Sequence, residues 1–400
     1  MAAVTPLSFS EARDCVIRRV CSEAFERQTE LVPLPDAWGR ILAEDLFADR
    51  DYPPKARSLR DGYAVRYADV PGTLRIVGEV RAGEDFTGFV GQGQAAAIMT
   101  GGLIPEGADT VVMVEHVQRE GAFIYVSAGI EYGQFINAKG AEARRGDCLL
   151  KAGCRIGYAE VAMAAAVGAA RLAVFRKPRV AILSTGDEVV SVEEIPSESQ
   201  VRNANAYSLA AQVVAAGGIP EILPVARDEQ VVTERLILQG LRADLLLISG
   251  GVSAGKYDIV ESVLGDLGAE FYFDRVLIQP GQPLVFGKVK GKFFFGLPGN
   301  PASTMVTFLL FARPALELLG GGTDVSLPIF SVPLTTDFRH KPGLTRFLPA
   351  RLSSDGCCVA PIPWQGSSDI PAMARANALM VAAEDRESWR AGDRIGILLK

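Results

Sequence analysis

The sequence predicts an α/β and β multidomain protein organised around a central parallel α/β domain. Three observations predict it. Apolar strand-like runs at residues 179–183 and 244–248 alternate with amphipathic segments at 205–216 and 228–241, the order of a parallel sheet with crossover helices. Residues 46–140 instead carry short β-like runs broken by Gly and Pro, with no long amphipathic helix. After Ser326 helical periodicity stops, and the runs at 329–352, 358–361 and 394–399 read as a small C-terminal β domain. A chain of 400 residues also exceeds what one core usually organises, at about 100–200 residues per domain.

In order along the chain, residues 8–25 predict a helix, because Ser10 precedes Glu11 and Val16, Val20 and Ala24 recur at helical spacing. Residues 74–80 and 110–114 predict strands of the separate, mostly β region. Residues 147–156 and 170–174 read as strands flanking a helix of small residues at 159–169. From Lys177 the pattern is regular: a strand at 179–183, a helix at 205–216 ended by Gly217 and Gly218, and a strand at 221–225. Asp228 is expected to cap a helix running to Leu241, and 244–248 is a further buried strand.

Composition narrows the function. With 48% hydrophobic and 22% charged residues the chain is a folded protein rather than a disordered one. A net charge of −6 argues against a broad nucleic-acid or anionic-membrane surface, so an anionic substrate needs a local cationic pocket. The N-terminus lacks a signal-peptide pattern and no apolar run reaches about 18 residues, which makes the cytoplasm the expected location. Only His116 and His340 are available as imidazoles, so proton handling falls to carboxylates, phosphate or water. Cys15, Cys21, Cys148, Cys154, Cys357 and Cys358 contain no metal-ligand spacing and read as reduced, mostly buried thiols.

Parallel sheets bind ligands outside the carboxyl ends of their strands, and two motifs leave those ends. Ser184-Thr185-Gly186-Asp187-Glu188 leaves two carboxylates beside a tight turn, able to hold Mg²⁺ or a hydroxyl; a plain polar turn is the alternative. Ser249-Gly250-Gly251-Val252-Ser253-Ala254-Gly255-Lys256 offers backbone N–H groups to a phosphate, and fits G-x-x-x-x-G-K. That makes a P-loop-like nucleotidase a rival, although Tyr257 stands where a P-loop has its Mg²⁺-binding hydroxyl. Leu297-Pro298-Gly299-Asn300-Pro301-Ala302-Ser303 reads as a helix start with Asn300 as cap and Pro301 in the first turn, or as a rigid ligand-facing loop. The turns at 58–64 and 99–109 keep charged and hydroxyl groups, and either a site or a surface turn accounts for them.

Together these motifs resemble the molybdopterin molybdenumtransferase family, which includes bacterial MoeA proteins and the E domain of gephyrin. The resemblance is carried by Asp61-Gly62-Tyr63-Ala64, Met99-Thr100-Gly101 with Pro105-Glu106-Gly107-Ala108-Asp109, and Ser184-Thr185-Gly186-Asp187-Glu188. It continues in Ser249-Gly250-Gly251-Val252-Ser253, Pro280-Gly281, Leu297-Pro298-Gly299-Asn300-Pro301 and Gln365-Gly366-Ser367, in the family's order and spacing. It implies four domains: an elongated linker domain (1–45 plus 141–176), an inserted mostly-β domain (46–140), a three-layer α/β molybdopterin-binding domain (177–325) and a small C-terminal β domain (326–400). It further implies insertion of molybdate into adenylylated molybdopterin with AMP release and Mg²⁺ assistance. The implied assembly is a homodimer with shared active sites. Transient contact with the molybdopterin adenylyltransferase and with apo-molybdoenzymes, and no nucleic-acid or membrane partner, complete the expectation.

Position by position, the resemblance implies catalytic roles for Asp61, Thr100, Glu142, Glu188, Asp228 and Asp258, with Glu188, Asp228 and Asp258 holding the metal. Glu142 stands where the family usually has Asp. Substrate binding is implied for Ser249, Gly250, Gly251, Ser253, Arg275, Pro298, Gly299, Asn300 and Pro301. The chain departs from the family in Gln279-Pro280-Gly281-Gln282-Pro283, where two lysines are usual, and in Asn137-Ala138-Lys139, where an Arg is lost. Arg60 replaces the usual Met beside Asp61. These losses leave two further readings, a catalytically weak paralogue that binds pterin or nucleotide as a scaffold, and the P-loop-like nucleotidase.

Overall fold

The computed structural model describes residues 6–23, 27–84, 86–251 and 259–400. Helix α1 (Phe9–Cys21) begins at Ser8, whose hydroxyl accepts the Glu11 N–H while the Glu11 carboxylate accepts the Ser8 N–H. The cap is thus Ser8 rather than Ser10, because only a Ser three residues before Glu11 closes this reciprocal box. Strand β1 (Thr29–Pro33) follows. Its partner lies far along the chain.

The inserted region forms a six-stranded sheet from β2 (Gly62–Val65), β3 (Gly72–Val80), β4 (Gln94–Ile98), β5 (Thr110–Met113), β6 (Val117–Glu120) and β7 (Phe123–Val126), in the order β5-β2-β4-β3-β7-β6. Val114, expected within a strand, instead opens a 3₁₀ turn to His116. The chain returns through α2 (Tyr158–Ala166) and β8 (Arg171–Phe175), which pairs antiparallel with β1. The expected strand over 147–156 shrinks to Cys148–Leu150, because Lys151–Gly153 form a turn at Gly153 with positive φ. Val32, Leu42, Ile156, Ala164 and Val174 share one small core there.

The α/β region contains β9 (Arg179–Ser184), α3 (Ala204–Ala215), β10 (Ile219–Ile222), α4 (Gln230–Gly240), β11 (Leu245–Ser249), α5 (Ile259–Asp266) and β12 (Glu270–Arg275). It continues with β13 (Ile278–Gln279), β14 (Pro283–Val289), β15 (Lys292–Leu297), α6 (Pro301–Thr307) and α7 (Arg313–Leu319). The sheet order is β10-β9-β11-β15-β14-β12, with β10, β9, β11 and β15 parallel, β14 antiparallel to β15, and β12 antiparallel to β14. Strand residues divide by the period of two: Val180, Ile182, Leu245, Leu247, Phe293 and Phe295 enter a core with α3, α6, α7 and the buried face of α1. Ala181, Leu183, Leu246, Ile248 and Phe294 enter the opposite core with α4 and α5. Both faces are covered, so this is a three-layer domain. Each fully buried Leu, Ile, Val or Phe stabilises it by about 1.5–3 kcal/mol.

Two expectations change here. Strand β10 lies at Ile219–Ile222 rather than 221–225, in parallel register with Arg179–Ile182. Asp228 does not cap α4: the helix starts at Gln230, preceded by Glu229, while the Asp228 N–H donates to Asp187 Oδ1 at 3.3 Å. Residues 301–319 run as one helical stretch through a π-helical turn at Phe308–Ala312, long and apolar enough to cross a membrane by length and composition. With 78% of it buried inside the protein, it is a core helix.

The C-terminal sheet uses β16 (Phe330–Pro333), β17 (Thr345–Leu352), β18 (Val359–Pro361), β19 (Ala378–Ala382) and β20 (Arg394–Leu399) in the order β13-β17-β19-β20-β16, with β18 on β17. Its edge strand β13 comes from the preceding domain, which joins the two regions. Helix α8 (Ile370–Arg375) contradicts an all-β tail: the Asp369 carboxylate caps it by accepting the Ala372 N–H at 2.9 Å. Six residues are too short to show helical periodicity in sequence. The cysteines are free thiols as expected, but Cys21, Cys148 and Cys357 are exposed rather than buried.

Candidate active site

The parallel register sets Ser184 beside Ser249 and Ser249 beside Leu297, so three loops leave one edge of the sheet together. They open on a cleft of about 1280 Å³. Its lining includes Glu188, Asp228, Ser249, Gly250, Gly251, Pro298, Gly299, Asn300 and Pro301 from the expected site, with Gln279–Pro283 on another wall. The C-terminal domain closes that wall with Leu344, Trp364, Ser367, Ser368 and Ile370.

Local chemistry explains the loop shapes. Gly250 and Gly251 have φ of +91° and +64°, and a Cβ there would come within 2.9 Å of the Thr185 carbonyl oxygen and 2.8 Å of Thr185 Oγ1, respectively. Glycine is required at both positions. The Gly250 N–H donates to the Leu297 carbonyl at 3.1 Å and the Gly186 N–H to the Ala226 carbonyl at 3.1 Å, so these amides are committed within the fold. Thr185 Oγ1, beneath the Gly250-Gly251 turn, is buried without a hydrogen-bond partner.

Asn300 precedes α6 without capping it through its side chain. The Ala302 N–H donates to the Ser367 carbonyl at 2.9 Å, which leaves the Asn300 amide to bridge domains: Nδ2 donates to Ser367 Oγ at 2.8 Å and Oδ1 accepts from Ser368 Oγ at 3.1 Å. Pro301 occupies the first turn of the helix as expected.

Sequence reasoning missed Asn205. Its Nδ2 donates to Ser249 Oγ and to the Gly299 carbonyl, both at 2.8 Å, while Oδ1 is buried and unpartnered. Asn203 caps α3 by accepting the Ala206 N–H and also accepts from Ser184 Oγ. The signal in the sequence was two Asn residues at a helix start following a strand-end motif. Trp364 and Arg202 were missed as well, and Arg202 is the basic residue of the lining among the described residues. Its Nε donates to the Glu194 carbonyl at 2.9 Å.

The acidic side has a clear electrostatic signature. Burial first, then repulsion from Asp187 and Glu188, pushes the Asp228 carboxyl above its ordinary range. Among the described residues no group of three metal-ligating side chains converges. Asp258 and Ser253 lie outside the described residues, as does Lys256 of the P-loop-like pattern.

The remaining expected residues lie elsewhere in the chain. Asp61 Oδ1 accepts the Thr100 N–H at 2.6 Å and the Thr100 hydroxyl at 2.9 Å, and these donors hold the Asp61 carboxyl below its usual range. The pair is exposed on the inserted domain and does not line the cleft of its own chain. Glu142 Oε1 accepts from Asn137 Nδ2 at 2.7 Å, also outside the cleft. Arg275 is exposed at the end of edge strand β12 and is not among the described lining residues.

Similarity to known proteins extends along nearly the whole chain. Residues 7–168 match the MoeA N-terminal region (domain I and II), 181–318 a probable molybdopterin binding domain, and 331–400 the MoeA C-terminal region (domain IV). The chain is 37% identical over 329 residues to a molybdopterin molybdenumtransferase of Nostoc sp., covering 80% of this chain and 76% of that relative. It is 33% identical over 410 residues to that of Bacillus subtilis, covering 99% and 94%. The crystal structure of a molybdopterin biosynthesis MoeA protein from Pyrococcus horikoshii superposes with a TM-score of 0.82 at 29% identity, covering 99% of this chain and 100% of that one. With its multidomain α/β and β architecture, matched segments and relatives of this identity and coverage, the chain belongs to the molybdopterin molybdenumtransferase family.

Proposed function

We propose that this protein inserts molybdate into adenylylated molybdopterin and releases AMP, acting in the cytoplasm as a homodimer. The observation that carries the reading is the strand-end cleft itself: Glu188 and Asp228 line the same space as the Ser249-Gly250-Gly251 turn and the Pro298–Pro301 loop. A polyanionic substrate meeting a second anion needs its charge offset where bonds change.

Glu188 and Asp228 fit a Mg²⁺ ion. Their mutual repulsion is what a dication relieves, and Mg²⁺ is usually held by one or two carboxylates with water and substrate phosphate oxygens completing its shell. When bound, the ion supplies charge neutralisation at the phosphate. The protein's own groups then orient substrate: Asn205 fixes the Ser249 hydroxyl and the Gly299 carbonyl, and the Asn300 bridge fixes the C-terminal wall. Arg202 adds one guanidinium to the lining.

The exposed Asp61–Thr100 pair suits a role in the cleft of a second chain, since its donors keep Asp61 ionised and it has no place in its own cleft. A scaffold that binds pterin or nucleotide without turnover is the second reading, favoured by the neutral Gln279 and Gln282 on the cleft wall. Molybdate-dependent rescue of cofactor synthesis in cells lacking this activity separates them. Rescue supports the transferase, and absence of rescue by well-expressed, folded protein leaves the scaffold.

A further inference from the structure

The cleft wall beneath the C-terminal domain has a chemistry different from the acidic side. Gln279 and Gln282 stand on a turn closed by the Val276 N–H donating to the Gln282 carbonyl at 3.0 Å. Between them Gly281 has φ of +105°, and a Cβ there would meet Thr307 Cγ2 at 2.4 Å, so the turn has one packed arrangement. Trp364 faces this space beside Leu344 and Ile370. The indole is half-buried and packs on both the α/β core and the C-terminal core, so its ring is held in place before any ligand arrives.

No net charge comes with these groups. Arg202 pairs with Val190 in the segment that follows β9, whereas Gln282 adjoins β14, three strands away in the sheet order. Arg346 is the neighbour of Gln279 across the β13–β17 pair, but it is not among the lining residues: its Nη2 donates to the Lys341 carbonyl at 3.4 Å and its Nε is buried without a partner. An oxyanion at this wall would exchange water for neutral amides and an apolar ring, without charge-assisted bonds. A flat heterocycle gains from the same groups. A carboxamide carries an N–H donor beside a C=O acceptor, the pattern that pairs with the donor and acceptor edge of a purine or pterin, and an aromatic face stacks on such a ring.

We infer that the wall formed by Gln279, Gln282 and Trp364 binds the planar ring of a purine or pterin rather than an oxyanion. The source of that ring rests on the proposed substrate, which carries both an adenine and a pterin.

Calorimetric titration of the full chain with adenosine, 6-hydroxymethylpterin and molybdate, each at two salt concentrations, tests it. One of the two uncharged rings is expected to bind with little salt dependence. Its affinity should fall at least about tenfold in Trp364→Ala and in Gln282→Leu, with molybdate binding changed less than twofold; the ring affected identifies the source. Gln282→Leu keeps the test valid where Trp364→Ala does not fold. If neither ring responds to these changes, or if molybdate affinity falls with them, the inference is overturned. AMP release from adenylylated molybdopterin, measured on the same preparations, separates the two levels. Turnover without ring binding at this wall removes only the inference, and ring binding at this wall without turnover in the unaltered chain removes only the proposed reaction.

Discussion

Asn205 donates a 2.8 Å hydrogen bond to Ser249 Oγ, and the same amide nitrogen reaches the Gly299 carbonyl at 2.8 Å. One side chain from the start of α3 therefore joins the loops that leave β11 and β15. Replacing it with Ala leaves two partners short of a donor, and Asp sets a charged oxygen against the Gly299 carbonyl, which can only accept. Asn205→Ala is expected to destabilise the protein by about 1–3 kcal/mol. Asn205→Asp should cost at least as much, because its charge faces the Gly299 carbonyl. Urea unfolding of the three proteins checks the order, and an Asp variant as stable as the native chain contradicts it.

Glu188 follows the strand β9 turn, lines the cleft and stands close enough to Asp228 to raise its carboxyl. Glu188→Ala should leave the fold intact and lower AMP release by at least about tenfold, as loss of a metal- or water-ordering group does. Thermal unfolding and turnover measured together check it. Unchanged turnover removes Glu188 from the site.

Because the folded state raises the Asp228 carboxyl above its ordinary value, ionising this group opposes folding. The opposition is absent below the ordinary aspartate range, grows as pH rises from that range to the raised value, and is complete above it. Asp228→Asn is therefore expected to raise Tm at pH 7 and to leave it unchanged at strongly acid pH, while lowering turnover. Added Mg²⁺ should raise the Tm of the native chain more than that of the variant. Equal Mg²⁺ responses would show that Asp228 does not face the ion.

Asp61 and Thr100 form one exposed pair while Glu188 and Asp228 face another space, so a shared site predicts complementation between chains. Mixing Asp61→Ala with Glu188→Ala protein should restore up to about one quarter of the native turnover. That figure follows because half of randomly exchanged dimers are mixed and each holds one intact site of two. The check is AMP release after subunit exchange verified by mass spectrometry. No recovery in verified mixed dimers contradicts sharing.

The strand and motif order was legible because it depends on local patterns. Val180–Leu183 and Leu245–Ile248 are apolar on both faces, as strands covered by helices on both sides must be, and the turns after them carry the glycines their geometry requires. What was not legible depends on partners far away in sequence. Asn205 looks like an ordinary helix-start residue until Gly299, 94 positions later, is seen beside it. Asn300 loses its expected cap role because a carbonyl 67 residues away, that of Ser367, reaches the helix first, and Asp228 loses its own because the helix begins at Gln230, which makes Glu229 the residue that precedes it. Trp364 becomes part of the site because strand β13, which carries Gln279 into the sheet of the C-terminal domain, and the Asn300 bridge to Ser367 and Ser368 both join that domain to the cleft.

The most direct test of the proposed reaction is to incubate the purified protein with adenylylated molybdopterin and Mg²⁺, with and without molybdate, and follow AMP by chromatography. Molybdate-dependent release of AMP, one per molybdenum retained on the pterin, is the expected result. A chain that binds the adenylylated substrate yet releases no AMP with molybdate and Mg²⁺ present would contradict the transferase and leave a binding scaffold in its place.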